Sequence, residues 1–485
     1  MVVGFVPVVT LVVVLAAFVW VGLRAAGPQR AGAEPDHDVE DYVVARNSQS
    51  ATRIGLSFLA SGMGAWVLFA PPEVGATVGL TAVVGYALGA ATPLAVFAVL
   101  GRRMRAVVPA GHALTEWVRL RFGRAFHAWV VGVSILYMLI FVTAELTAIG
   151  GVAALVSDLS PRLVVLSVAV ATLAYTAYGG LRATLSTDRL QAWSILGLLA
   201  VAAPAALLVR PSSARPPADD ALVAVTGSAL QVALTLVVAV TVANLFHEGY
   251  WQRVWAARDV RALDRGAALG IVTTMPVVAV CGLLGMAAAR SGVALGDPPV
   301  PFFALLAHVP AWLTVVVLAL GLSLVASSID TLENGLAALV VAERPRTSLR
   351  GARWATVILM VPAVVVALQG YSVLRLFLVA DVLCASAVVP ALLSLWRRAT
   401  SAGALAGAVA GLAGAVLPGW LATGSLADGV GLATFPGAVP TLPPFLGALL
   451  VSATVALVVS LAAGKVTDLE ALAAGVPALG QNAAR

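Results

Sequence analysis

The segment from Ser323 to Val341 reads SLVASSIDTLENGLAALVV. It sets Ser323, Ser327, Ser328, Asp330, Thr331, Glu333 and Asn334 inside an otherwise apolar run. On a helix, Ser323, Ser327, Asp330, Thr331 and Asn334 share about 100° of arc, with Ser328 at the flank. Hydroxyls at that density can coordinate a hard monovalent cation without burying a full negative charge. An acid on the same face can attract the ion, carry a proton or bond a neighbouring helix. The competing reading is hydrogen bonding between membrane helices, worth ~0.6–2 kcal/mol per contact, and it suits Ser323 and Asn334. Three more charges sit in apolar spans: Glu145 in YMLIFVTAELTAIGG, and Arg375 and Asp381 in YSVLRLFLVADVLCASAVVP. Charge at mid-bilayer is costly, so these are expected to be paired or on a pathway. Arg375 and Asp381 lie nearly opposite on a helix and need not pair, and Arg375 is free to snorkel outward. Glu145 and Asp381 either face a solute cavity or lie buried between helices.

Such a polar stripe needs a bundle around it, and the composition supplies one. The chain has 485 residues, 61% hydrophobic and only 11% charged, with a mean hydropathy of +1.00. Soluble proteins carry roughly 25% charged residues. A bilayer core takes about 20 apolar residues per helix, and backbone in lipid must bond within its own segment. The fold class is therefore all-α and polytopic. Thirteen apolar spans are expected, the second at about 52–71, the fifth and sixth at 161–179 and 187–209, and the ninth at 311–342. The first, 2–24, lacks a basic start and a small-residue cleavage site, so it reads as a retained helix. Cys281 and Cys384 both fall inside spans, which argues against a structural disulfide.

The net charge of +6 would suggest nucleic acid in a soluble protein. Here the Lys and Arg fall in alternate connections instead. Of the 29, only Arg162, Arg210, Arg215 and Arg290 lie in the opposite set of loops, with Arg375 inside a span. By the positive-inside rule the N-terminus is outside and the C-terminus cytoplasmic, as expected of a multi-pass protein of the inner (plasma) membrane. Its surroundings are lipid, and nucleic acid is not an expected partner. The loops 210–220 and 428–444 read as irregular outer connections.

Two spans are interrupted. The second holds ASGMGAW (60–66), with Gly62 and Gly64 in mid-run and Pro71 and Pro72 at its end. Glycines there permit either unwinding or close helix packing. The seventh ends VANLFHEGYWQRVWAA (242–257), where Asn244, His247, Glu248 and Gly249 break the apolar run. These spans open two groups of five. Breaks at matching positions of two halves point to an inverted-repeat transporter with its site at the breaks. One transmembrane unit is expected: an extra helix at 2–24, five-helix repeats at 52–210 and 225–396, two more helices within 402–464, and a tail at 465–485. The solute is then expected near Gly62, Gly64, Trp66, Asn244 and Phe246.

Four stretches together carry a resemblance: DYVVARN (41–47), AYTAYGGLRATLSTDRLQ (174–191), GYWQRVWAARD (249–259) and ASSIDT (326–331). The chain resembles the sodium/solute symporter family, whose members include sodium-coupled proline, sugar, pantothenate and urea carriers. The resemblance implies a five-plus-five inverted repeat with one helix before it and two after. It implies sodium as the coupling ion, ligated by the Ser327 and Ser328 hydroxyls and by carbonyls of Ala60, Met63 and Leu324. Asp330 matches the family's motif acid. Asp188 resembles an acid near the inner ion exit, against the reading of a solvated loop charge paired with Arg182 or Arg189. In helix two the proline carriers place an acid and a serine beside the ion, where this chain has Gly62 and Gly64, which speaks against proline as the solute.

The expected function is sodium-coupled symport of a small polar solute such as an amino acid, urea or a carboxylate. A proton-coupled carrier of the same fold is the alternative, with Asp330 and Glu145 as proton carriers. A transporter-like sensor is a second alternative. No cluster with enzymatic spacing appears. The pocket is expected to hold few aromatic or charged residues.

Overall fold

The computed structural model describes residues 4–26, 45–109, 111, 114–207, 222–296, 299–306, 310–343, 349–371, 373–435, 440–469 and 472. Residues 210–220, most of DYVVARN and most of the tail lie outside them. Long helices dominate: α1 (Phe5–Ala26), α2 (Ala51–Gly62), a 3-10 turn (Ala65–Leu68), α3 (Ala70–Thr77), α4 (Leu80–Val107), α5 (Leu114–Phe122), α6 (Arg124–Val156) and α7 (Pro161–Leu207). The order continues with α8 (Gly227–Asn244), α9 (Glu248–Ala256), α10 (Val260–Ser291), α11 (Pro301–Leu305), α12 (Ala311–Glu343), α13 (Leu349–Ala367), α14 (Val373–Leu392), α15 (Ser401–Thr423), α16 (Leu426–Ala433) and α17 (Leu442–Ala462). Among the described residues, 11 helices are long and apolar enough to cross a membrane, or up to 12 with the bent pair α2–α3 as one span. The half of α7 beyond Gly180 falls where the sequence places a further span.

Local chemistry explains the boundaries. Ser50, Thr226, Asp259 and Thr400 cap α2, α8, α10 and α15 by accepting from backbone N–H groups of the first turn. Pro71 and Pro72 do not end the second span. They occupy the first turn of α3, where a missing N–H costs nothing. The stretch 180–186 is no loop either. Helix runs through it, kinked at Gly180, whose φ of 56° and ψ of −148° suit glycine. The segment 428–444 was expected to be irregular, yet its start belongs to α16, capped by Ser425.

Both expected interruptions are real. α2 ends at Gly62, and the chain resumes helix at Ala65 with a bend of 60°. α8 ends at Asn244 and α9 begins at Glu248. Among the described residues, four candidate spans fall from α2 through α7, with the half of α7 beyond Gly180 as a further helical stretch, and five from α8 through α14; each group opens on a broken helix. One contact joins the two groups at their polar ends. Asn47 and Gln49 donate backbone N–H bonds to the carbonyls of Trp255 (3.0 Å) and Ala256 (2.9 Å), and Arg258 donates back to Gln49 (2.8 Å). The ends of two stretches noted in the sequence, 41–47 and 249–259, therefore meet in space.

The bundle's centre is α12. It packs against α7, α6, α13 and α1. Ser327, Ser328, Asp330, Thr331 and Glu333 are fully buried, and Ser323 and Asn334 nearly so. The polar stripe faces protein.

Candidate ion and solute site

At the break in α2 the helical partners of its last carbonyls are gone. Met63 is extended (φ −103°, ψ 92°), and its N–H still bonds Leu59. The next free donor, Ala65 N–H, turns to another helix: Glu145 Oε2 of α6 accepts it at 2.7 Å. Gly64 makes this possible. A Cβ there would fall on the Glu145 carboxylate. Glu145 thus caps the resumed helix from across the bundle, a structural task for a residue that the sequence left between an ion path and a cavity.

Beside the last turn of α2 lies a fully buried ion pair. Arg253 of α9 and Asp188 of α7 are 0% and 1% exposed, with Nη2 and Oδ2 3.1 Å apart. Arg253 spends its donors on three helices. Nε donates to Ser57 Oγ (2.9 Å), Nη1 to the Gly249 carbonyl (2.7 Å), and Nη2 to Ser61 Oγ (2.7 Å) and Thr331 Oγ1 (2.9 Å). Asp188 accepts from Ser57 Oγ at 2.5 Å and from Ser327 Oγ at 3.2 Å. Thr331 Oγ1 donates to Ser61 Oγ at 2.8 Å, directly tying α12 to α2. Gly249 allows α9 this close, since a Cβ would stand 2.5 Å from the Thr331 methyl. A buried pair persists only when its remaining lone pairs and protons are satisfied, as these are. Asp188 is thus no solvated loop charge. Its cation is Arg253, not Arg189, and the Arg182 side chain lies outside the described residues.

The other residues of the stripe divide. Asp330 Oδ2 accepts from Tyr175 (2.7 Å) and Thr187 (3.2 Å) of α7. Glu333 Oε1 accepts from Thr172 (3.0 Å). Asn334 donates to Thr184 and to the Asp330 carbonyl, and Ser323 bonds back to Ala319 within its own helix. Ser328 is different: its Oγ is buried with no hydrogen-bond partner among the described residues. Ser327 and Ser328 thus sit on the part of α12 that is bonded to α2 through Thr331 and Ser61. Ala60 and Leu324 are both fully buried in this region.

At the break opens a cavity. Gly62, Met63, Trp66 and Asn244 line it; Gly64 and Phe246 do not, and Phe246 is packed at 0% exposure. The wall is rich in rings, against the expectation of few: Trp66, Tyr86, Tyr137, Phe141, Tyr250 and Phe377. Asp381 joins them. Trp66 stacks on Tyr86 with centroids 5.5 Å apart and meets Phe377 edge-on at 6.3 Å. The signal was present in the sequence as i, i+4 pairs on separate helices, Tyr137 with Phe141 and Phe377 with Asp381. It became legible only once those helices were placed around one space. Arg375, in contrast, points away and donates to the Thr434 carbonyl at 3.1 Å.

Two broken helices, an oxygen-rich junction and a cavity at the break define a secondary transporter. The sequence profile of the sodium:solute symporter family matches residues 42–411, and the chain belongs to that family. It is 28% identical over 357 residues to the spermidine transporter DUR31 of Candida albicans, a match covering 72% of this chain and 68% of that one. A sodium-coupled sialic acid symporter solved in a substrate-bound outward-open state has the same fold: TM-score 0.71, 13% identity, 95% of this chain and 98% of the other covered. Mhp1, a nucleobase-cation-symport-1 family transporter solved closed with bromovinylhydantoin, gives a TM-score of 0.55 at 13% identity, covering 91% and 99%. These likenesses show that the chain shares their all-helical membrane fold.

Proposed function

We propose that the protein is a symporter in which sodium moves down its gradient and carries a small polar solute with it by alternating access. The observation that carries this reading is Ser328 Oγ, buried and unpartnered beside Ser327 on the part of α12 that is bonded to α2. A hydroxyl in that state costs free energy unless something takes its lone pair. A sodium ion held by Ser327, Ser328 and the carbonyls of Ala60, Met63 and Leu324 would satisfy it. The ion would also hold α2 against α12 and so favour the conformation that accepts solute. Each sodium crossing a 100 mV potential supplies about 2.3 kcal/mol. Spermidine, the solute in the fungal relative's name, belongs among the solutes to be tried, with amino acids and urea.

The test is sodium dependence. Ser327→Ala combined with Ser328→Ala removes two oxygens, and a contact to a charge is worth about 1.5–3 kcal/mol. The sodium concentration for half-maximal uptake should rise at least about tenfold. A well-folded double variant with unaltered sodium dependence would remove these residues from the ion site.

The proposed orientation, N-terminus outside and C-terminus in the cytoplasm, rests on the Lys and Arg asymmetry. Cysteines at Ser213 and Thr347, both outside the described residues, are expected to label from opposite faces, Ser213 from outside. Labelling of both from one face would contradict it.

A further inference from the structure

The lining of the cavity specifies a charge. Asp381 is 6% exposed and sits on its wall, and no hydrogen bond or ion pair joins its carboxylate to a described residue. Among the described residues, no Lys or Arg lines the cavity. A carboxylate walled by rings and left without a cation is costly at this depth. The usual seat for an anion is taken as well. The N–H at the resumed helix, the usual seat for a solute carboxylate in a broken helix, is already occupied by Glu145. The remaining polar groups, the phenols of Tyr86, Tyr137 and Tyr250, the Thr274 hydroxyl and the Asn244 amide, can all accept as well as donate. Asn244 donates one Nδ2 hydrogen to the Val240 carbonyl of its own helix at 2.7 Å, which leaves its Oδ1 acceptor and a second N–H. Thr274 Oγ1 is buried with no hydrogen-bond partner among the described residues. Around these stand the aromatic faces, whose quadrupoles attract a desolvated ammonium.

Resting on the symporter reading above, we propose that the solute is an organic cation: a protonated or quaternary amine bound with its nitrogen at Asp381 and its carbon skeleton against Trp66, Tyr86 and Phe377. Asp381 is then a specificity residue and not part of the ion path. Phe377 precedes it by one helical turn on α14, so both side chains reach the same space. Such a cation compensates the one wall charge. A carboxylate or urea does not, and a zwitterionic amino acid brings a carboxylate for which the lining supplies no cation.

The experiment is thermal unfolding of the purified full-length protein at fixed sodium, with methylammonium, putrescine and tetramethylammonium set against acetate, glycine and urea. Saturable stabilisation by at least one of the ammonium compounds, and by none of the others, is the expected result. Asp381→Asn should raise the half-saturating concentration of that compound at least about tenfold, the loss of a contact between charges. Asp381→Glu should keep part of the affinity, and Phe377→Leu should weaken it severalfold. In each variant, sodium-dependent stabilisation without amine should persist. Saturable binding of acetate, glycine or urea with none of any ammonium compound overturns the proposal, as does a folded Asp381→Asn with unchanged amine affinity. Loss of the sodium effect alone in Asp381→Asn would also overturn it, since the carboxylate would then serve the inorganic ion. Amine binding that is indifferent to sodium upholds the proposal while contradicting the coupling. Sodium stabilisation with no amine binding does the reverse.

Discussion

Arg253→Ala is expected to destabilise the protein by about 3–5 kcal/mol, the penalty for leaving one member of a buried ion pair uncompensated. Arg253 is 0% exposed and its guanidinium joins α9 to Ser57 and Ser61 of α2, Asp188 of α7 and Thr331 of α12. Its loss strands the Asp188 carboxylate in the middle of the bundle and unties the second broken helix from the first. Thermal unfolding and the fraction recovered as a monodisperse species should both fall sharply. Removing both charges, Arg253→Met with Asp188→Leu, should be markedly less damaging to stability than Arg253→Ala alone, because buried pairs replaced by apolar groups often come out near neutral. The double variant should not transport if Asp188 serves the ion beside Ser327. Equal stability of Arg253→Ala and the parent would mean that the pair is absent from the folded protein.

Gly64→Ala is the second substitution with a large expected effect. Gly64 is extended (φ −91°, ψ −177°), a conformation open to any residue, so the constraint is space. The added methyl would occupy the position of the Glu145 carboxylate. The carboxylate must leave, and with it the 2.7 Å bond that satisfies Ala65 N–H at the break. A hydrogen bond to a charged group of this kind is worth about 1.5–3 kcal/mol, and the bend in the second span depends on it. Glu145→Ala should be destabilising alone, yet should recover part of the stability when added to Gly64→Ala, since it clears the space. That non-additivity is the signature of two residues in direct contact. A Gly64→Ala variant as stable as the parent would contradict this account of the break.

The sequence carries the frame well because membrane helices announce themselves by length, and breaks by the residues that permit them. Gly62 and Gly64 mark one interruption, and Asn244 through Gly249 mark the other. The stripe on α12 was visible because seven polar residues in an apolar run have few explanations. What stayed hidden were the partners. Arg253 reads as an ordinary charge where a helix leaves the bilayer, and nothing local says that it turns inward. Ser57 and Ser61 are small residues that an apolar span tolerates anywhere, although their i, i+4 spacing puts them on one face. Asp188 looked like a loop residue because a diglycine precedes it, whereas Gly180 only kinks a helix that continues. The cavity's rings are spread over helices far apart in sequence, and periodicity within one span cannot gather them. Long-range placement is what single-span patterns lack, and it decides the charge of the cavity.

The most direct measurement of the central claim is solute accumulation by proteoliposomes holding the purified protein, with sodium imposed outside and absent inside. Radiolabelled spermidine, an amino acid and urea would be supplied in parallel. The account predicts that at least one solute accumulates above its outside concentration while the sodium gradient lasts. It also predicts that accumulation collapses when a sodium ionophore dissipates the gradient, and that a proton gradient does not replace it. Uptake that equilibrates without accumulating, or that proceeds equally with potassium in place of sodium or with a proton gradient alone, would contradict it.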